Sequence, residues 1–189
     1  MEKELKTKLQ IANAMKELCK KQPLGSVTVK DIIFACDINR STFYYHFPDK
    51  HGLMEWIFQN DITSHFIKAR ERLWVNNTEH LLSVFHDDRS FYSQAVKSDM
   101  RDTFEVLLFQ ATYVKAKEFF DAISEKAKEQ PERYEFAARF YSYAFTGMYM
   151  EYISGGAKND PAKEAAKFYD LIDPYFSRTI QHYFSVAET

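Results

Sequence analysis

Arg40, Ser41, Thr42, Tyr44, Tyr45 and His46 fall within seven consecutive positions, with Asn39 just before them and Lys50 shortly after. The run brings a guanidinium, two hydroxyls, two phenols and an imidazole together, with no carboxylate among them. Such a set suits recognition of a polyanion with readable edges. A guanidinium can give two hydrogen bonds to a guanine edge, and hydroxyls and phenols reach phosphates, bases or thymine methyls. Catalytic patterns are absent: there is no Gly-rich phosphate loop, nucleophile elbow, paired CxxC or carboxylate dyad, so neither an enzyme nor a cofactor is expected.

These side chains need a scaffold, and the flanking residues supply one. Thr28 is a good N-cap, and Asp31 three residues later suits the positive end of the helix it starts. Ile32, Ile33 and Ala35 give that helix an apolar stripe, Cys36-Asp37-Ile38 interrupts it, and Asn39 caps a second helix. Ile38, Phe43 and Phe47 then recur at helical spacing and face inward, which turns Arg40, Ser41, Tyr44 and Tyr45 outward. Pro48 stops the helix and Asp49 caps the next. So short a helix buries too little to fold alone, and its neighbours must hold it. Two short helices joined by a tight turn, the second polar and outward-facing, is the layout of a helix-turn-helix DNA reader, with Arg40 the expected base reader.

The same residues resemble the TetR-type one-component bacterial regulators. Members commonly carry an Ala-Gly-Val-Ser turn, two variable residues, Thr-Leu-Tyr-Tyr-His-Phe and a later Lys. Here Cys36-Asp37-Ile38-Asn39, Arg40-Ser41, Thr42-Phe43-Tyr44-Tyr45-His46-Phe47 and Lys50 stand in those places. The resemblance covers roughly residues 8 to 55 by motif and the rest by helical layout. It implies DNA contacts from Tyr44, Tyr45, His46 and Lys50 and a phosphate contact from Thr28, so the candidate set is Thr28, Asn39, Arg40, Ser41, Thr42, Tyr44, Tyr45, His46 and Lys50. One departure is Asp37 in place of the turn glycine; Asp tolerates a left-handed backbone, so the turn is expected to survive. The run Phe43 to Lys50 followed by Leu53 to Asp61 also looks like the branch containing regulators of dihydroxyacetone kinase operons. Some of that branch activate transcription, and a zinc-responsive activator is similar, so repression and activation both stay open.

The rest of the chain sets the frame. Its 189 residues, 46% apolar with 16% aromatics, hold ample material for a packed core. Only five glycines and five prolines punctuate it, and the stretches between carry helical periodicity, so an all-α fold of nine or ten helices is expected. The helix-turn-helix occupies residues 1–50 and a regulatory and dimerisation body residues 51–189. The first holds nine Lys or Arg against six acids, about +3, and the second sixteen against twenty-one, about −5. A mildly basic end on an acidic body fits a module that faces phosphate. Without a secretory signal or a run approaching the roughly 20 apolar residues of a membrane span, a cytoplasmic protein is expected. Cys19 and Cys36 read as buried free thiols.

The spacing predicts helices over about Lys3 to Lys21 with Leu5, Leu9, Ala12, Met15 and Leu18 inward, and Asp49 to Leu73 with Leu53, Trp56, Ile57, Phe58 and Phe66 in the core. Others follow near 78–85, 89–97, 100–128, 131–154 and 161–184, the last restarting at Asp173-Pro174. One short reading helix covers few base pairs, so a homodimer on a double-stranded operator is expected. Phe140, Tyr141, Ala144, Phe145, Met148 and Tyr152, with Phe168, Leu171, Ile172, Tyr175, Phe176 and Tyr183, offer the interface or serve the subunit's own core, each in part, and Gly147 permits a close approach. The resemblance implies an effector pocket for a small molecule, with Phe104, Phe109, Tyr113, Tyr141, Met148 and Tyr149 as candidates; a partner protein acting on the body is the alternative. His65, His80, His86, Asp87, Asp88 and His182 have no zinc-site spacing, so no metal site is assigned.

Overall fold

The computed structural model describes residues 2–67, 74–124, 127, 129–172 and 176–186. Among the described residues there are ten α-helices and no strand. The first three are α1 (Glu2–Cys19), α2 (Val29–Cys36) and α3 (Arg40–His46). The link and body follow as α4 (Lys50–Ile67), α5 (Trp74–Asp87), α6 (Arg89–Ala95), α7 (Arg101–Ile123), α8 (Pro131–Ser154), α9 (Pro161–Ile172) and α10 (Phe176–Ser185).

The α1–α3 unit closes over Ile11, Met15, Ile32, Phe43 and Phe47, all nearly inaccessible to water. Ala12 and Met15 face inward as expected, whereas Leu5 and Leu9 are 49% and 38% exposed. The inward stripe of α1 therefore begins at Ile11; α2, the helix that packs most on α1, meets it from Gln10 onward, where Gln10 Nε2 donates to Cys36 O. Cys19 and Cys36 are buried free thiols. Burial pushes both up to about 11, and the Lys50 charge partly offsets this at Cys19.

In the body, Phe58, Phe85, Phe91, Tyr92, Phe104 and Tyr149 form one aromatic centre, with the Phe58 and Phe104 rings 4.7 Å apart and those of Phe85 and Tyr92 5.0 Å apart. A second centre joins Phe120, Tyr134 and Phe184, tying α10 to α7 and α8. Helices α7 and α8 run antiparallel: Thr112 meets Thr146 across a buried hydroxyl pair at 3.1 Å, and Tyr134 donates to Asp121 at 2.8 Å near the other end. The expected helix over 100–128 stops at Ile123, because Ser124 turns to extended backbone. The side chains of His65, Phe66, Leu171, Ile172 and Phe176, and all of 173–175 with the expected restart, lie outside the described residues.

Polar links from Lys16 and Gln94 fasten the N-terminal unit to the body. Lys16 of α1 reaches Asp61 of α4 at 2.6 Å and Asp88, which precedes α6, at 2.7 Å. Tyr92 donates to the same Asp61 oxygen at 2.5 Å. Gln94 of α6 accepts from Leu24 N at 2.6 Å and donates to Cys19 O at 3.1 Å, which satisfies backbone left open between α1 and α2. Burial works against the Lys16 charge, but Asp61 and then Asp88 outweigh it and hold the ammonium above its usual range. The Lys16 contribution to stability is therefore fully present below about pH 10.5 and is lost as pH rises through the higher folded value.

Substituting Lys16→Met leaves two poorly hydrated carboxylates without their cation. We expect a loss of about 3 kcal/mol in urea unfolding. A loss under about 0.5 kcal/mol, the range of ordinary surface substitutions, would show that this cluster does not hold the unit in place.

Candidate nucleic-acid interface

Helix α3, the candidate reading helix, is set by caps that the sequence itself encodes. Thr28 Oγ1 accepts from Asp31 N at 3.2 Å while Asp31 Oδ2 accepts from Thr28 N at 2.9 Å, a reciprocal capping box at the start of α2. Hydrogen bonds from the Thr28 hydroxyl and amide lower the Asp31 carboxyl below its usual value. At the end of α2, Asp37 takes the left-handed conformation, φ 51° and ψ 47°, where the related turn carries glycine. Ile38 then points into the unit and Asn39 opens α3. Its Oδ1 accepts from Thr42 N at 2.7 Å, Ser41 Oγ at 2.6 Å and Thr42 Oγ1 at 2.9 Å.

Phe43 and Phe47 anchor α3 from beneath, and Phe47 meets Trp56 of α4 with ring centres 5.8 Å apart. The corner into α4 is close. Asp49 Oδ1 accepts from Gly52 N at 2.8 Å, and a Cβ at Gly52 would lie 2.8 Å from Pro48 Cδ, so glycine lets the chain fold back on the proline ring.

What remains outside is the predicted face. Tyr45 is 79% exposed, Tyr44 43%, and Arg40 is exposed beside them. The Arg40 guanidinium lies over the Tyr44 ring, 5.4 Å from its centre, with Nη2 3.5 Å from the phenol oxygen. Tyr44 thus keeps Arg40 upright on the outer face through a contact worth about 0.5–1 kcal/mol at an exposed site, weak enough to yield to a better partner. His46 packs edge-on against Tyr45 at 4.9 Å, and its buried Nδ1 has no hydrogen-bond partner among the described residues.

The structure does not bring every candidate to this face. Lys50 is turned inward, donating to Leu24 O and Val27 O, each at 3.2 Å, so its ammonium closes the turn between α1 and α2. The hydroxyls of Ser41 and Thr42 both donate to Asn39, which leaves them acceptors toward a partner. Phe34 of α2, 89% exposed, was not singled out by periodicity, since one apolar residue on an outer face carries no pattern.

The six pocket candidates divide among three environments. Phe104 and Tyr149 are packed in the core, the Tyr149 hydroxyl 3.1 Å from that of Thr78. Tyr141 is half-buried against Phe120. Phe109 and Tyr113 are also half-buried and stack on each other along α7, where Tyr113 donates to Glu135, while Met148 is 50% exposed. No group of three or more metal-ligating side chains occurs among the described residues.

Comparison with known proteins agrees with this geometry. Residues 11–57 match the family described as bacterial regulatory proteins, tetR family, and residues 73–174 match one described as transcriptional regulator C-terminal region. The chain belongs to the TetR family of transcriptional regulators, which are DNA-binding transcription factors and not enzymes. Among characterised relatives, it is 30% identical over 95 residues to the HTH-type dhaKLM operon transcriptional activator DhaS of Lactococcus lactis subsp. lactis (strain IL1403), a match spanning 50% of this chain and 51% of that one. The chain thus aligns with about half the length of that relative. A solved structure of a dihydroxyacetone kinase operon activator DhaS superposes with a TM-score of 0.72 at 23% identity, covering 88% of this chain and 93% of the other. The TetR family repressor AlkX from Dietzia sp. strain DQ12-45-1b gives 0.55 at 17% identity, covering 91% and 98%. At these identities the structures speak to the fold. No helix among the described residues is long and apolar enough to cross a membrane.

The two basic residues separate cleanly by experiment. Lys50→Met should lower stability by about 1–3 kcal/mol through the Val27 carbonyl it leaves unsatisfied, Leu24 O keeping its bond from Val27 N, while leaving the slope of log affinity against log salt unchanged. A stable Lys50→Met variant whose salt slope falls by about one would instead give Lys50 to a phosphate.

Proposed function

We propose that this chain is an operator-binding regulator that works as a homodimer, with α3 lying in the major groove and Arg40 reading a base edge. The observation that carries this reading is the outer face of α3, where a guanidinium and two phenols are presented, with the half-buried His46 beside them, on a helix fixed by Phe43 and Phe47 from within. Arg40 leaves Tyr44 for a guanine, and Tyr44, Tyr45 and His46 take backbone or thymine contacts. Thr28 and Asn39 act through their helix starts, and Ser41 and Thr42 accept hydrogen bonds at the groove edge.

The dimer seam lies on α8. Phe136, Phe140 and Tyr143 are 65%, 58% and 61% exposed, and Gly147 follows on the same face with open space above it. The spacing of four, three and four residues marks one straight seam on a helix. Phe109 of α7 packs against Tyr143 with ring centres 4.6 Å apart and widens the patch. Of the residues expected at the interface, Phe140 and Gly147 belong to this seam, whereas Phe145 is buried, Phe168 stacks on it at 5.4 Å and Tyr152 donates to Asn159 O, so these three serve the subunit's own core.

The direction of regulation follows where the operator lies relative to the promoter. The partial match to a protein named a transcriptional activator supports activation, with a small molecule or a partner protein as the input to the body. Such an input acts by preferring one arrangement of α5–α10 and so tilting α4 beneath the reading unit.

Arg40→Ala should weaken operator binding by about 1–3 kcal/mol and relax preference at one base pair per half-site; unchanged base preference would remove α3 from the groove. Phe140→Glu with Tyr143→Glu should yield a folded monomer in light scattering, with operator affinity falling alongside. A dimer persisting in that double variant would place the seam elsewhere.

A further inference from the structure

A second group of cations sits on the body, away from α3. Arg89, Lys97 and Lys158 line one open cleft of about 350 Å³ between α6 and the end of α8, together with Ser90, Ser93 and Ser154. No carboxylate lines it, although residues 51–189 carry five more acids than bases. Neither Lys97 nor Lys158 has an ion-pair partner among the described residues, and the hydroxyls of Ser90 and Ser154 have no hydrogen-bond partner there. Arg89 uses one nitrogen on His86 O and keeps the rest of its fork free.

The cleft is framed rather than loose. After α8 the chain closes with Gly156 N donating to Ile153 O and Ala157 N to Tyr152 O, each at 2.9 Å. Gly156 (φ 94°) and Ala157 (φ 47°) both take positive φ, and His86 Nδ1 donates to Ala157 O at 3.0 Å, pinning this loop to α5. A Cβ at Gly156 would come within 3.4 Å of Lys158 Cε, so glycine leaves room for the lysine stem to fold over the loop.

We propose that this cleft binds a small, multiply charged oxyanion of the phosphate class, held by the three cations and by the Ser90 and Ser154 hydroxyls. Its volume is that of a small-ligand site rather than of a long groove, and converging cations with free hydroxyl donors are the chemistry that recognises phosphate. The cleft residues of α6 are Arg89, Ser90 and Ser93. The neighbouring positions Asp88 and Gln94 bond Lys16 and Leu24 of the N-terminal unit. Occupation of the cleft therefore bears on a helix that also holds the reading unit. That consequence rests on the DNA-binding reading, whereas anion binding itself does not.

The test uses the full chain without DNA, following backbone amide shifts on titration with inorganic phosphate and, separately, methyl phosphate, each against sodium chloride at matched ionic strength. Saturable shifts centred on residues 89–97 and 154–158 are expected, weakened about tenfold or more in Lys97→Gln/Lys158→Gln. Tighter binding of methyl phosphate would identify a phosphorylated metabolite as the source, and equal or tighter binding of inorganic phosphate the free ion. Shifts absent for both anions, or equal in the double variant, would overturn the site. If in addition the double variant lowered the salt slope of DNA binding, its cations would belong to the DNA backbone instead.

Discussion

An ammonium withdrawn from water is costly unless anions meet it, and Lys16 meets two. Asp61 comes from α4, Asp88 from the corner before α6, and Tyr92 donates to Asp61 from the side. Because these groups belong to separate helices, the cluster fixes where α1 stands relative to the body. The first unit is three helices long and its reading helix has only seven residues. Its own core orders it internally, but the direction in which Arg40 and the tyrosines point is set by where α1 is tied. Gln94 adds a second tie by bonding both strands of the turn between α1 and α2.

The reading face itself illustrates how little energy is committed in advance. Arg40 rests on Tyr44, and Ser41 and Thr42 rest on Asn39. These are exposed contacts, individually weak, so exchanging them for contacts to a base or phosphate carries a small cost. The rigid part lies one layer down in Phe43, Phe47 and Trp56, and in the Gly52 to Pro48 approach that sets the corner into α4. A stiff base beneath adaptable side chains suits a surface that must hold register while testing sequences.

Features decided within four or five residues were legible in the sequence. Thr28 and Asn39 cap the expected helices, Asp37 adopts the left-handed turn in place of glycine, and α8 spans Pro131–Ser154 as its proline start and glycine end require. Features decided by distant partners were not. Lys16 reads as one of several charges on an amphipathic helix, because nothing local announces Asp61 or Asp88. Lys50 resembles a phosphate-binding lysine by position, yet the carbonyls of Leu24 and Val27 lie within its reach. Aromatic periodicity marks this stretch as helical without telling its buried face from its exposed one, and only packing shows Phe145 buried and Phe136 and Tyr143 exposed. The basic cleft escaped because its cations are spread over 70 positions and converge only through packing of α6 on α8.

The most direct measurement of the central claim is hydroxyl-radical footprinting of the purified protein on DNA flanking its own gene. A dimer with one α3 per subunit in the major groove should protect two patches on one face of the duplex, their centres about one helical turn or a whole multiple apart. The Arg40→Ala protein should lose the footprint on that sequence first while retaining salt-sensitive, sequence-independent binding. A single protected patch, or one unchanged by Arg40→Ala, would contradict the account.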